Sequence, residues 1–248
     1  MSVVLPMYDR PETAAAHDRL CHLFVQAYGD GPSRRSTPED LWALWQSPDL
    51  LLAQTCGFPF RTRLLGKVAL VGAPDHGLPD LPAGHYYSVI VVHKSHPAAQ
   101  ADQPLAALEG ATMAYNEPLS QSGWAAPWRH FHSRNLRIGP RVQSGAHRRS
   151  AQLVAEGSAD FAALDVVSWM LMQHHDGFAR DLVEIERTAP TPALPYISAI
   201  YRDPAPIRAA LSAAITALSP TERSELILKG LVDMPQSAYE AVPNPPEP

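Results

Sequence analysis

A strand, a short polar turn and a helix follow one another in the middle of the chain. Residues 111–115 form an apolar run, residues 116–123 contain proline, glycine and two serines, and a helical pattern begins near Trp124. Because helix-start amides lack intrahelical acceptors and carry partial positive charge, this arrangement favours a bound anion. Ser120 or Ser122 could equally be an ordinary N-cap without any ligand. The sequence therefore indicates either a capped helix start or an anion site.

Strand-like and helical patterns alternate along the whole chain, and most of the 25 prolines fall between them. This alternation predicts an α/β fold with largely parallel sheets. A proline-rich tail, residues 242–248, is expected to be disordered. The predicted strands are residues 2–8, 50–54, 66–72, 85–93, 111–115, 160–164 and 182–187, and the main predicted helices are residues 11–28, 165–174, 204–218 and 220–231.

The charge distribution argues against a nucleic-acid partner. The chain of 248 residues has a formal net charge of −5, whereas a nucleic-acid interface needs a clustered basic surface. The one basic stretch, residues 134–149, is diluted by glycine, serine and proline. No apolar run approaches the roughly 20 residues of a membrane span, so membrane insertion is not expected.

The N-terminal residues bear on localisation. Val3, Val4 and Leu5 are followed at once by Pro6, without the basic and apolar regions of an export signal. As written, the sequence predicts a cytoplasmic protein, or a periplasmic one if a signal has been removed.

Six segments of the chain resemble, in order, the phosphate, phosphite and phosphonate substrate-binding proteins of ABC transporters. They cover most of the chain, and the ordered set is more specific than any one segment. The segments are residues 5–9 (LPMYD), 51–59 (LLAQTCGFP), 116–123 (NEPLSQSG), 144–150 (SGAHRRS), 157–165 (GSADFAALD) and 191–196 (TPALPY).

The resemblance implies a type II periplasmic-binding-protein fold, in which two α/β lobes are joined by two crossing strands. Residues 85–92 and 182–187 would be the crossing strands. Lobe one would comprise residues 1–88 and 188–248, and lobe two residues 89–187. A small anionic ligand would bind in the cleft between the lobes, beyond the carboxyl ends of parallel strands. An ABC-transporter permease is a further implied partner.

The resemblance also implies which residues bind the ligand. Ser120, Ser122 and the amide of Gly123 would hold the oxyanion, and Asn116 would orient the loop or donate one more bond. Such neutral donors bind a charged group without introducing a permanent counter-charge. His147 could add a donor or a positive charge to the same anion, or it could be a surface capping residue.

Two further positions have competing interpretations. Asp165 lies where a strand ends and a helix begins, so it could accept from an amine or hydroxyl of the ligand, or simply cap the helix. Tyr8 ends the first strand, and its ring could line the cleft or pack in the core.

Other reactive side chains give weaker signals. Cys56 follows a strand and precedes a glycine, which suits a reactive thiol, but a packed thiol is the simpler interpretation. His130 and His132 could share a strand face, yet no cysteine or carboxylate spacing completes a metal site. There is no Walker or dinucleotide loop, so no cofactor is expected.

The main hypothesis is a small-molecule binding protein for a phosphonate-like or phosphate-like anion, acting as a solute-binding component or a stand-alone sensor. The alternative is a cytoplasmic enzyme on the same scaffold acting on a small carboxylate or phosphate metabolite. In that alternative Asp165, His147 or Cys56 would be the acid, base or nucleophile.

Overall fold

Strands and helices alternate through the computed structural model, which describes residues 1–37 and 39–248. The strands are β1 (Ser2–Val4), β2 (Leu50–Gln54), β3 (Val68–Asp75), β4 (His85–Tyr86), β5 (Ser88–His93), β6 (Met113–Tyr115), β7 (Arg141–Gln143), β8 (Phe161–Asp165), β9 (Leu182–Arg187), β10 (Thr191–Pro192), β11 (Tyr196–Ala199) and β12 (Gly230–Val232). The α-helices are α1 (Ala14–Tyr28), α2 (Leu41–Trp45), α3 (Gly57–Pro59), α4 (Ala126–His132), α5 (His147–Ala155), α6 (Val166–His175), α7 (Pro204–Ala217), α8 (Pro220–Glu225) and α9 (Gln236–Glu240). Two π-helical turns cover Phe60–Leu64 and Gln121–Ala125, and short 3₁₀ turns cover Pro97–Gln100, Ala106–Leu108 and Gly177–Asp181.

The chain forms two compact units. The first unit comprises residues 1–85 and 192–242, and the second comprises residues 86–191 and 243–248. The backbone therefore passes between the units at residues 85/86, 191/192 and 242/243. Among the described residues, no helix is both long and apolar enough to cross a membrane.

The first unit is built on a five-stranded sheet in the order β1-β2-β11-β3-β12. β1 and β2 are parallel, whereas β11 runs antiparallel to both β2 and β3. Helices α1 and α7 pack against this sheet through apolar faces with helical spacing. The centre of the core contains the fully buried side chains of Val3, Phe24, Leu51, Leu52, Ile207 and Leu211.

The second unit is built on another five-stranded sheet, in the order β7-β6-β8-β5-β9. β6 is parallel to both β7 and β8, while β5 is antiparallel to β8 and β9. The central strand β5 has four fully buried residues in succession, Val89, Ile90, Val91 and Val92. A continuous apolar run of this kind is typical of a strand covered on both faces.

The α/β prediction is confirmed, but the prediction of largely parallel sheets is wrong. Both sheets are mixed, because β5 and β11 enter antiparallel to their neighbours. Most predicted elements lie within a few residues of their observed positions. The tail 243–248 has no helix or strand, yet it is held by a hydrogen bond from the Trp124 indole to the Pro246 carbonyl.

Gly72 on β3 allows a close approach between two strands. A Cβ atom at this position would lie 2.7 Å from the carbonyl oxygen of Val232 on β12. Because this oxygen belongs to the backbone, it cannot move aside as the end of a flexible side chain could. We expect Gly72→Ala to lower the free energy of unfolding by about 2 kcal/mol, as for other overpacked sites. Urea denaturation monitored by circular dichroism measures the change.

Gly66→Ala is the matched control, because Gly66 has a positive φ of 73° but, apart from its chain neighbours, no described residue has an atom within 4 Å of the added Cβ. We expect this variant to lower the free energy of unfolding by only about 1 kcal/mol, which is the cost of a left-handed backbone conformation at an alanine. If the two variants lower the free energy of unfolding equally, the close approach of β3 and β12 does not explain the effect of Gly72→Ala.

Candidate functional site

Three strands of the second unit end at one edge of its sheet. β6 pairs in parallel with β7 through Tyr115 and Gln143, and with β8 through Ala114 and Ala162. Because parallel strands share one direction, the segments that follow them leave the sheet at the same edge. Those segments are residues 116–125, residues 144–147 and the α6 start at Asp165. The topology therefore gathers most of the residues that the sequence analysis selected.

Backbone hydrogen bonds hold the first two segments together. The Ser144 amide donates to the Tyr115 carbonyl at 2.8 Å, and the Gly145 amide donates to the Asn116 carbonyl at 3.0 Å. The Ser144 hydroxyl lies 3.1 Å from the Tyr115 carbonyl and 2.7 Å from the Ser150 hydroxyl on α5. Ser144 and Ser150 thus support the site although the sequence analysis assigned them no role. The signal available was the Ser-Gly pair before a helix start.

Residues 116–125, which we call the serine loop, end in a π-helical turn. Its wide hydrogen bonds span five residues, from the Ala125 amide to the Ser120 carbonyl at 3.0 Å and from the Ala126 amide to the Gln121 carbonyl. Such turns are rare and are often found at functional sites. Ser122 is in the first turn, where no backbone carbonyl of the helix can accept from its amide.

Ser120 is the N-cap of this turn. Its Oγ accepts from the Gly123 amide at 2.9 Å, so that amide already has an acceptor. A hydroxyl can accept and donate at once, and the Ser120 O–H therefore remains a donor for a further oxygen. Ser120 and Ser122 are both buried, at 4% and 3% exposed.

Gly123 is required where the loop closes on itself. A Cβ atom at Gly123 would lie only 1.9 Å from the Asn116 Oδ1 atom, so any side chain would displace Asn116. That oxygen is buried and has no hydrogen-bond partner among the described residues. Asn116 therefore lies against the turn and fixes its shape through contact.

The serine loop and the start of α5 meet in one contact between side chains. The Ser122 Oγ lies 2.8 Å from the His147 Nε2, although the two residues are 25 positions apart. His147 begins α5, whose N-cap Ala146 provides no side-chain acceptor for the amides of the first turn. The two helix starts therefore converge, with uncapped amides beside a hydroxyl and an imidazole.

His147 is held in its neutral form. Burial lowers its pKa to about 4, and the nearby carbonyl of Ala163 on β8 opposes this shift only in part. The Nδ1 atom is buried and makes no hydrogen bond of good geometry to any residue that the structure describes, although His147 as a whole is half-buried. A proton on Nδ1 would point to the Ala163 carbonyl and leave Nε2 to accept from the Ser122 hydroxyl.

Asp165 caps the third segment. It is 2% exposed, and its carboxylate accepts from the Ser168 amide at 2.9 Å at the start of α6. Of the two interpretations, the structure shows the capping contact directly. A carboxylate has further acceptor positions, so this contact does not prevent another.

Tyr8 belongs to the first unit. Its carbonyl accepts from the Thr13 hydroxyl at 3.1 Å, and its ring lies 5.5 Å from the His76 ring in an edge-on arrangement. With 8% exposure it is a buried residue, which agrees with the packing interpretation.

The remaining reactive side chains lie elsewhere. Cys56 is half-buried in the first unit and is not in a disulfide. The interpretation of His130 and His132 as sharing a strand face is wrong, because both lie on α4. The His130 Nε2 instead lies 3.0 Å from the Glu186 carboxylate. In residues 1–37 and 39–248, no group of three or more His, Cys, Asp or Glu side chains could hold a metal ion.

Solved structures similar to this one share its fold. A phosphonate-binding protein of Prochlorococcus marinus in complex with methylphosphonate is 14% identical, covers 97% of this chain and 94% of its own, and has a TM-score of 0.74. The binding component of an ABC phosphonate transporter from Pseudomonas aeruginosa is 14% identical and has a TM-score of 0.70, and the match covers 96% of this chain and 82% of that protein. A Xanthomonas citri protein bound to ATP is 17% identical, with coverage of 97% and 94% and a TM-score of 0.66.

These similarities show a type II periplasmic-binding-protein fold, which confirms the predicted fold class. No curated protein is significantly similar in sequence. The family model of ABC-transporter phosphonate periplasmic substrate-binding proteins matches residues 38–242, well over half of the chain. The chain therefore belongs to the family of phosphonate periplasmic substrate-binding proteins.

Proposed function

We propose that the chain binds a small phosphonate or phosphate anion at the serine loop and the first turn of α5. The observation that carries this proposal is the 2.8 Å contact between Ser122 and His147, which brings two helix starts to one point. Helix starts attract anions because their amides lack acceptors and carry partial positive charge. Family membership and the methylphosphonate bound to the Prochlorococcus marinus protein support the same ligand class.

The available donors determine what the site can bind. They are the Ser120 hydroxyl, the Ser122 amide and the uncapped amides at the start of α5. A hydrogen bond to a charged group contributes about 1.5–3 kcal/mol net. Four or five of them support an affinity near micromolar, about −8 kcal/mol, after the entropic cost of binding.

A neutral His147 suits this role because it can change partner when the anion arrives. Its Nε2 lies 2.8 Å from the Ser122 hydroxyl oxygen. An anion beside the imidazole would favour the protonated form, since an opposite charge raises the pKa of a histidine. The bound ligand would then receive a charge-assisted hydrogen bond, and Ser122 would be released to donate as well.

Two other residues remain proposed ligand contacts. Asp165 ends the third parallel strand at the same sheet edge and could accept from a hydroxyl or amine on the ligand. Tyr8 also remains a proposed ligand contact. Neither residue is needed for the anion-binding argument, which rests on the second unit alone.

The biological role that we propose is that of a solute-binding component, which delivers its ligand to an ABC-transporter permease. Family membership supports this partner. A stand-alone sensor is the other role for the same site, since a histidine-kinase sensor domain has a similar structure at a TM-score of 0.59. Ligand-dependent co-purification with a permease supports the first role.

Ser122→Ala tests the site most directly. The variant loses both the hydroxyl donor and the contact with His147, so we expect methylphosphonate or phosphate affinity to fall by about tenfold or more, as for loss of one charge-assisted bond. Isothermal titration calorimetry against phosphate, phosphite and methylphosphonate measures the change. The matched control is Ser158→Ala, at an exposed serine of the same unit. If the wild-type protein binds none of these anions, the proposal is wrong.

Gly123→Ala tests the shape of the serine loop. We expect the added Cβ to displace the Asn116 side chain and to weaken anion binding, because this Cβ would lie 1.9 Å from the Asn116 Oδ1 atom. Removing the obstacle in Asn116→Ala/Gly123→Ala should recover part of the lost thermal stability. The single variant Asn116→Ala gives the stability loss of removing that side chain alone. If the double variant is less stable than Gly123→Ala by this same amount, the contact between Asn116 and the added Cβ does not explain the effect of Gly123→Ala.

The lowered pKa of His147 predicts how stability depends on pH. The folded protein holds the neutral imidazole down to about pH 4, whereas the unfolded chain binds a proton near pH 6.5. The stabilisation that results from this difference in pKa is fully present above pH 6.5 and is lost as the pH falls towards 4. Between pH 7.5 and 5, we expect the wild type to lose about 2 kcal/mol more unfolding free energy than His147→Gln.

Urea denaturation at several pH values measures this difference. The pKa values of His17, His76 and His130 are also lowered by burial, but these residues are present in both proteins. Their contributions therefore cancel in the comparison. Parallel stability curves for the two proteins would show that His147 is not held neutral.

One contact also favours the catalytic alternative. A serine hydroxyl 2.8 Å from a neutral imidazole is the arrangement in which a base activates a nucleophile. Phosphorus NMR of the calorimetry samples separates the two functions. An unchanged ligand supports binding, whereas a product that disappears in Ser122→Ala supports catalysis.

A further inference from the structure

Trp124 connects the serine loop to the C-terminal tail. It lies in the π-helical turn directly after Gly123 and is 1% exposed. Its indole N–H donates to the Pro246 carbonyl at 2.9 Å, across 122 positions of sequence. The indole has one donor and no acceptor, so this bond uses all of its hydrogen-bonding capacity.

The same indole also packs against the start of the loop. Its ring lies 5.9 Å from the Tyr115 ring at the end of β6, and the Arg141 guanidinium lies 5.8 Å from its centre. The indole therefore lies beside the residue that directly precedes Asn116, and Trp124 is two positions after Ser122 in the chain.

The tail is suited to holding the indole in place. Residues 243–248 group with the second unit, although the preceding helix α9 is anchored in the first unit by a 2.7 Å bond from the Tyr239 hydroxyl to the Ala193 carbonyl. Four of the six tail residues are proline. Proline has few backbone conformations to lose, so such a segment can be ordered at a small entropic cost.

We propose that residues 243–248 form a strap that positions Trp124 and thereby holds the serine loop in its binding-competent shape. Without the strap, the indole N–H loses its acceptor, and a buried donor without a partner is unfavourable. The indole then moves towards water and the π-helical turn loosens. The part of this inference that concerns affinity rests on the proposed anion binding, whereas the part that concerns loop order does not.

Two variants remove the same hydrogen bond from opposite sides. One ends the chain after Val242, and the other is Trp124→Phe, which keeps an aromatic ring but removes the indole N–H. The controls are removal of Pro248 alone and Pro246→Ala, because both retain a carbonyl at position 246. A combined variant carries the truncation and Trp124→Phe together. Circular dichroism establishes that each protein is folded.

Hydrogen exchange of the ligand-free proteins tests loop order. We expect the hydrogen-bonded amides of Gly123, Trp124 and Ala125 to exchange about 3–10-fold faster in either single variant, which is the effect of losing one hydrogen bond. The combined variant should exchange no faster than the truncation alone, because the truncation already removes the acceptor of the indole N–H. The two controls should match the wild type. Unchanged exchange after truncation, or effects that add in the combined variant, would overturn the strap.

Calorimetry with methylphosphonate tests the consequence for binding. We expect either single variant to bind methylphosphonate about 3–10-fold more weakly than the wild type. The combined variant should bind no more weakly than the truncation alone, and the two controls should bind as the wild type does. If the wild type does not bind methylphosphonate, the proposed function fails while the exchange experiment still decides the strap. Faster exchange with unchanged affinity would show that the tail orders the loop without positioning it for the ligand, and would overturn the positioning role.

Discussion

The parallel pairing of β6 with β7 and β8 is the constraint on which the site depends. It places three strand ends at one sheet edge, so that the serine loop, the α5 start and Asp165 share one region of the second unit. The Ser122–His147 contact is a consequence of this pairing, since 25 residues separate the two in sequence. Without the shared direction of the strands, two helix starts would not meet.

The serine and histidine side chains at this sheet edge are neutral, which reconciles their burial with the charged ligand that we propose. Ser120 and Ser122 are buried, and burial also keeps His147 uncharged. Permanent charges at this edge would bear a large desolvation cost, whereas hydroxyls and a neutral imidazole are buried at a smaller cost. In the anion binding that we propose, the charge of the ligand strengthens its hydrogen bonds to these neutral donors.

Local patterns in the sequence were sufficient for most of the elements and for the helix starts, but not for strands β7, β11 and β12 or for contacts between distant segments. The polar turn 116–123, the start of α5 and the capping position of Asp165 could all be predicted from periodicity and turn chemistry. The antiparallel entry of β5 and β11 depends on tertiary pairing, which local patterns do not specify. The placement of His130 and His132 on a strand face was also wrong, because both lie on a helix. The bond between Trp124 and Pro246 joins positions 122 residues apart, which no local pattern reveals.

The π-helical turn in Gln121–Ala125 also restricts how the length of this loop can vary. A π turn accommodates one residue more than an α turn, and here the extra residue is taken up between Ser120 and Ala126. Deleting one residue would restore ordinary helical winding and rotate Ser122 away from His147. Related chains that keep this site should therefore vary in the identity of loop residues far more readily than in their number.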